Sequence, residues 1–315
     1  MNEPILVGGQ AVIEGVLMRG PDGYAVSVRN PNGEIETIRK DYKSLTKRYK
    51  FLSLPLIRGI ISLYESLKIG LEALQFSAKV FEEKSDIKKE SLKEKIYSFL
   101  SFSIAIVVAF VFFFYLPILL TTKLFNIEQK AALFNLSSGL LRIGFFVAYL
   151  IFINFLKDIK RIFQYHGAEH QVVFAFENGE ELNVENAKKY STHHPRCGTS
   201  FIFVMLIFSI VTFAIIDTII ILIKGNITIY NRLFYHFILL LPVLGISYEL
   251  LKITSRNQNN IFIKILSFPG LALQRITTHK PSNDQLEVAI TALKSSFGDN
   301  FEKYSGKKFT AKAIE

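Results

Sequence analysis

The sequence holds one cysteine, Cys197, and no tryptophan. A single cysteine excludes an intrachain disulfide and any zinc site built from several thiolates. The opening stretch MNEPILVGGQAVIEG lacks the basic start and cleavable apolar core of a secretory signal, so none is expected. No internal repeat is visible. The most informative lack is of charge. Residues 96–122 carry no charged side chain, 131–156 only Arg142, 201–223 only Asp217, and 233–251 only Glu249. A soluble core is punctuated by polar residues every few positions, whereas about 20 apolar residues in a row cross the hydrocarbon of a bilayer. Four membrane spans are predicted.

What is present is apolar and basic. Half of the 315 residues are hydrophobic, 29 of them phenylalanine, and the net charge is +10. Lysine and arginine number 16 in residues 1–95, 6 in 157–200 and 10 in 252–315, against 2 each in 123–130 and 224–232. The positive-inside rule then puts both termini on the cytoplasmic side of the inner membrane. Basic segments beside an anionic leaflet account for the charge without nucleic acid. The expected fold is mainly α: a polytopic membrane protein with about four transmembrane helices and a small N-terminal β-containing cytoplasmic region.

The chain divides accordingly. Residues 1–50 form a glycine-rich β segment, in which residues 24–28 and 34–38 pair across an Asn-Pro-Asn-Gly turn. The preceding GGQAVIEGVLMRGP suggests tight turns or close packing. Residues 51–95 hold an amphipathic helix, too polar to cross the bilayer, and a charged linker. Spans one and two occupy 96–156, a His/Cys-rich cytoplasmic loop 157–200, spans three and four 201–251, and a tail with a helix begun near Ser282 covers 252–315.

Two polar motifs stand out. In His166-Gly-Ala-Glu-His170 the two imidazoles fall four apart on one helix face and can reach one ion. This is the H-x-x-E-H order of inverted zinc peptidases, in which the glutamate acts on water. The bland alternative makes them helix-end residues that favour the helix dipole or lipid head groups. The second motif, Ser191-Thr-His-His-Pro-Arg-Cys-Gly-Thr-Ser200, puts two more histidines and the lone cysteine in the same loop, and these are ligand types that zinc prefers. A polar turn is the alternative there. A nucleophilic Cys197 finds no further support. Among charges inside the spans, Glu249 is a candidate ligand or a partner for Arg142 or Arg256. Asp217 and Arg142 are expected to pair with each other or with backbone.

Four segments, GGQAVIEGVLMRGP, YHGAEHQVVFAFE, STHHPRCGTSF and PGLALQRITTHKPSNDQLEVAI, together resemble the YqhQ-like bacterial membrane proteins over nearly the whole chain. That family is described as predicted metal-dependent enzymes without an established function. The resemblance implies an integral membrane protein with a metal site drawn from His166, His170, His194, Cys197 and Glu249, with Glu169 and Arg196 in catalytic roles. Glu14, Arg19 and Glu177 would orient ligands or meet substrate. Thr278-His-Lys280 departs from the acidic, arginine-containing stretch expected of relatives, so His279 is not expected to be an essential ligand.

These readings converge on a divalent metal ion, zinc by ligand type, in a membrane enzyme of hydrolytic class acting on a protein or lipid substrate. The rival is a non-enzymatic scaffold or assembly factor that binds protein or lipid partners. A small transporter using Asp217, Arg142 and Glu249 is the third reading. The decisive question is whether the HHPRC segment folds back onto HGAEH.

Overall fold

A computed structural model describes residues 7–81, 92–195, 197–256 and 260–309. Four antiparallel strands come first, β1 (Gly8–Val12), β2 (Gly15–Arg19), β3 (Gly23–Arg29) and β4 (Ile35–Asp41), in the meander order β1-β2-β3-β4. The 34–38 strand and its partner are β4 and β3. The glycine-rich stretch before them, read from sequence only as turns or close packing, is a hairpin. Its strands pair Val12 with Gly15 across Ile13 and Glu14, and Glu14, the second turn residue, takes a left-handed φ of 49°. Gly15 has a physical reason: a Cβ there would lie 2.4 Å from the Ser27 carbonyl oxygen of β3.

Helices α1 (Leu45–Arg48) and α2 (Ile57–Phe81) follow. The membrane helices are α3 (Leu92–Phe110) running through a π turn into α4 (Leu116–Phe125), then α5 (Ala131–Ile153), α8 (Gly198–Lys224) and α9 (Ile229–Arg256). Between them lie α6 (Lys157–Glu177) and α7 (Val184–Ala187), and after them α10 (Ile261–Thr277), α11 (Asn283–Phe297) and α12 (Phe301–Tyr304). Four stretches are long and apolar enough to cross a membrane: 99–125, 131–153, 201–224 and 229–250. They carry large exposed apolar side chains such as Phe99, Leu136, Leu222 and Phe237, which is the surface lipid covers. The two short connections, 126–130 and 225–228, lie at one end of the bundle. The other described residues outside the spans gather at the opposite end.

That polar end is a three-layer body. Strand β2 is buried on both faces. Val16 and Met18 pack with Tyr165, Val172 and Phe176 of α6 and with Leu286, Leu293 and Phe297 of α11. Leu17 points the other way, into Val26, Val28, Ile69 and Ala73 beneath α2. Helix α11 starts at a capping box between Ser282 and Gln285, and its stripe of Leu286, Ala289, Ile290 and Leu293 is buried.

Inside the bundle Arg142 takes the backbone, one of its two expected partners, whereas Asp217 departs from expectation. Pro117 has no N–H for the carbonyl four residues back, and that carbonyl, Phe113, accepts a hydrogen bond from Arg142 Nε at 3.0 Å. Arg142 thus caps the irregular turn of the first span rather than pairing with Asp217. The Asp217 carboxylate instead accepts from Arg232 Nε at 2.7 Å, His236 Nε2 at 2.9 Å and Asn135 Nδ2 at 2.6 Å, tying α5, α8 and α9 together.

Candidate metal centre

Helix α6 carries His166 and His170 in its middle, not at its end, on the face turned to the segment 191–198 and to the end of α10. Each imidazole is fixed by the backbone. His166 Nδ1 lies 2.9 Å from the Thr277 carbonyl, and His170 Nδ1 lies 2.5 Å from the Thr192 carbonyl. A carbonyl only accepts, so both Nδ1 atoms hold a proton, and in the neutral form of each ring Nε2 presents a lone pair. Metal-binding histidines are oriented in this way, by a backbone or carboxylate acceptor on the far nitrogen.

Cys197 completes the group. Its Sγ is 3.2 Å from His166 Nε2, and one donor atom each from His166, His170 and Cys197 lie within 4.8 Å of one another. HHPRC does fold back onto HGAEH. Gln274 of α10 clamps the turn from both sides: its Oε1 accepts from the His194 N–H at 2.7 Å, and its Nε2 donates to the His194 carbonyl at 2.8 Å. Cys197 is then the N-cap of the 27-residue helix α8, whose dipole favours a thiolate.

The electrostatics follow from this contact. Burial works against charge on both groups. Even so, the Cys197 thiol falls well below its ordinary range, because the His166 imidazolium faces it. Burial likewise opposes the His166 cation, but the Cys197 thiolate, Glu169 and the Thr277 carbonyl raise it to about 9. Burial pushes His170 down, towards the neutral form that ligates.

Glu169 is buried beside the group, with Oε2 3.4 Å from His170 Nε2. His194 stands next to it: its ring centre is 5.6 Å from that of His170, and its Nε2 is 3.7 Å from Glu177 Oε2. The remaining candidates sit elsewhere. The Glu249 carboxylate is gripped by both arms of Arg58, with Nε at 2.6 Å. This pair anchors α2 to α9 and keeps Glu249 out of the cluster. Glu14 is held by Arg161 and by the Tyr165 hydroxyl, fastening the β1–β2 turn to α6 one turn ahead of His166. Arg19 lies over the Tyr42 ring and 3.7 Å from buried Glu65. Arg196 lies outside the described residues. His279 is bonded to Asn154 Oδ1 at 2.6 Å, away from the group.

Four determinants escaped the motif reading. Thr192 and Thr277 act through backbone carbonyls, which have no residue signature. Gln274 stood in a quoted motif but without a role. Gly167, which by propensity alone weakens a helix, is required: a Cβ would lie 2.1 Å from the His279 carbonyl oxygen. The group opens into a cavity of about 1020 Å³ that runs from His166, Glu169 and His170 past β1 to α1 and α2.

The fold and this cluster define a polytopic membrane protein with a potential His/His/Cys metal-coordinating centre where its polar body meets the bundle. Residues 54–299 match the family described as Protein of unknown function (DUF1385), and the chain belongs to that family. It is 31% identical, over 91% of each chain, to the Uncharacterized protein YqhQ of Bacillus subtilis (strain 168). No solved structure matches it.

Proposed function

We propose that this protein is a metal-dependent membrane enzyme of hydrolytic class. His166, His170 and Cys197 are the protein ligands and zinc is the metal that their mixed imidazole and thiolate set suits. The observation that carries the reading is the pair of Nδ1–carbonyl hydrogen bonds, which turns the Nε2 atoms of both imidazoles towards Cys197, where an ion taking the place of the His166 Nε2 proton would meet two lone pairs and a thiolate. Three protein ligands leave a position open, the pattern of catalytic rather than structural zinc sites. A divalent ion supplies Lewis-acid polarisation of a carbonyl or phosphoryl oxygen and acidifies water.

The chain's own residues do the rest. Glu169, buried against His170, takes a proton from water and returns it to the leaving group. His194 is steadied by Glu177 and stands by as a further donor to substrate or metal. Arg196, next to Cys197 in sequence, meets an anionic group of the substrate. The asymmetry of Lys and Arg supports a cytoplasmic polar body, with both termini on that side of the inner membrane.

Metal content tests the proposal. The purified protein, with zinc supplied, is expected to hold close to one equivalent, and the variant with both His166→Ala and His170→Ala to hold none. Less than about a tenth of an equivalent in the unmodified protein would rule out a tightly held ion.

A further inference from the structure

We infer that the cavity takes a membrane lipid with an anionic head group, entering sideways from the leaflet that borders the polar body; the inference rests on the metal centre proposed above. Its basis is where the cavity wall lies. Helix α2 is part of that wall through Ser62, Ser66 and Ile69. The same helix is embedded against the membrane bundle. Gly59 leaves room for Tyr248 of α9, where a Cβ would come within 2.7 Å of the Tyr248 Cβ, and Gly245 of α9 leaves room for the Leu56 backbone. Ser62 Oγ donates to the Tyr248 hydroxyl at 3.4 Å. Tyr248 and Gly245 belong to a span, so the start of α2 sits at bilayer depth.

The outer face of α2 is apolar and uncovered among the described residues. Tyr64, Leu67, Leu71 and Leu74 recur at helical spacing and are 42–65% exposed. Just ahead of this stripe Tyr49, Phe51, Leu54 and Leu56 are also exposed, interleaved with Lys47, Arg48 and Lys50. Apolar side chains alternating with cations are what an anionic leaflet binds. Helix α10 presents Ile261, Ile265 and Phe268 in the same manner while packing on α8.

The cavity thus has a cationic rim at the membrane surface, where Lys43 and Lys47 meet it, and a metal-ligand floor one turn above the start of a span. Asp41, also on the rim, is neutralised by Arg39 at 2.7 Å, and Asp22 is the other acid there. A lipid whose chains stay along α2 can bring its ester or phosphoester linkage inward, whereas a soluble substrate has no use for the apolar stripe. Hydrolysis there adds water across that linkage: the bond from the acyl or phosphoryl centre to its leaving oxygen breaks, water oxygen takes its place, and the proton held by Glu169 passes to the departing oxygen.

The test uses full-length protein in detergent, loaded with cobalt(II) in place of zinc and titrated with dihexanoyl phosphatidylglycerol, dihexanoyl phosphatidylcholine or glycerol phosphate. Phosphatidylglycerol is expected to shift the visible cobalt bands. Phosphatidylcholine should need about tenfold more, the effect of losing a charge-assisted contact. Lys43→Gln with Lys47→Gln should erase that difference, and glycerol phosphate should leave the bands in place. Cobalt bands present but unmoved by any lipid would overturn the lipid assignment and leave the metal centre standing. Equal shifts with glycerol phosphate would overturn it in favour of a soluble phosphate substrate. No cobalt band at all would overturn the metal centre and the lipid assignment together. Independently, because the chain has no tryptophan, Leu67→Trp gives a unique fluorophore. Brominated lipids in vesicles should quench it, and unquenched, water-like emission would contradict entry beneath α2.

Discussion

Two clusters in this molecule share the same ingredients and come to different ends. In the bundle, His236, Asp217, Arg232 and Asn135 meet, and three donors converge on one carboxylate. The His236 Nε2 is committed to Asp217, its ring stacks on Phe213 at 4.0 Å, and the Arg232 guanidinium covers the Phe134 ring at 3.5 Å. At the edge of the polar body, His166 and His170 give their Nδ1 protons to backbone carbonyls and keep Nε2 turned to Cys197 and a cavity. What separates a clamp from a ligand site is which nitrogen the fold occupies and whether open space lies beyond the other.

The largest expected effect breaks the clamp. Asp217→Ala leaves the Arg232 charge buried without its partner, which typically costs about 3–5 kcal/mol. Unfolding of the purified protein in mixed micelles should show that loss while the metal content of whatever remains folded is unchanged. The mirror experiment is Cys197→Ala: metal affinity should fall by more than the roughly 10–100-fold seen when a group supporting a ligand is lost, with a smaller loss of stability than Asp217→Ala causes, because His166 can shed its proton once the thiolate is gone.

Gly167→Ala sharpens the contrast from the supporting layer. In an exposed helix the exchange gains about 1 kcal/mol. Here the new Cβ must displace the His279 carbonyl and with it the segment carrying Thr277, so metal affinity is expected to fall about 10–100-fold. Isothermal titration with zinc reads it, and an unchanged affinity would remove the carbonyl brace from the explanation.

The protonation states give a pH test in metal-free protein. An ordinary thiol ionises near about 8.5. The ultraviolet thiolate absorbance assigned to Cys197, taken as the difference from Cys197→Ser, should persist well below that range. His166→Ala removes the facing cation and should move the transition back up, since burial then acts unopposed. The sign is the same for stability. The raised His166 contributes fully below its unfolded value of about 6.5 and loses that contribution as pH rises through about 9. The depressed Cys197 loses its own as pH falls through its lowered value.

The smallest effect belongs to Glu249→Gln. Arg58 is partly exposed, so the pair contributes roughly 1 kcal/mol or less. Bound zinc should not change, which separates the salt bridge that docks α2 from the ligand set.

How much of this was legible in the sequence follows from the range of each interaction. The spans were, because charge-free runs are local; their edges moved by a few residues. The HGAEH helix was legible because four-residue spacing is local as well. β2 was obscured because burial on both faces erases the alternation that marks a strand. Helix α10 was unmarked, its apolar run interrupted by Pro269. For Glu249 the sequence offered only nearness to the end of a span, and its partner proved to be Arg58, 191 positions away. Carbonyl acceptors such as those of Thr192 and Thr277 leave no trace in residue type, so the brace on the two histidines emerges only in three dimensions.

X-ray absorption at the zinc edge of the metal-loaded protein tests the two-histidine, one-thiolate centre most directly. The expected result is one sulfur at about 2.3 Å and two imidazole nitrogens at about 2.0–2.1 Å, with a lighter scatterer in the open position, and loss of the sulfur shell in Cys197→Ser. A shell of oxygen and nitrogen alone, unaltered by that substitution, would contradict it.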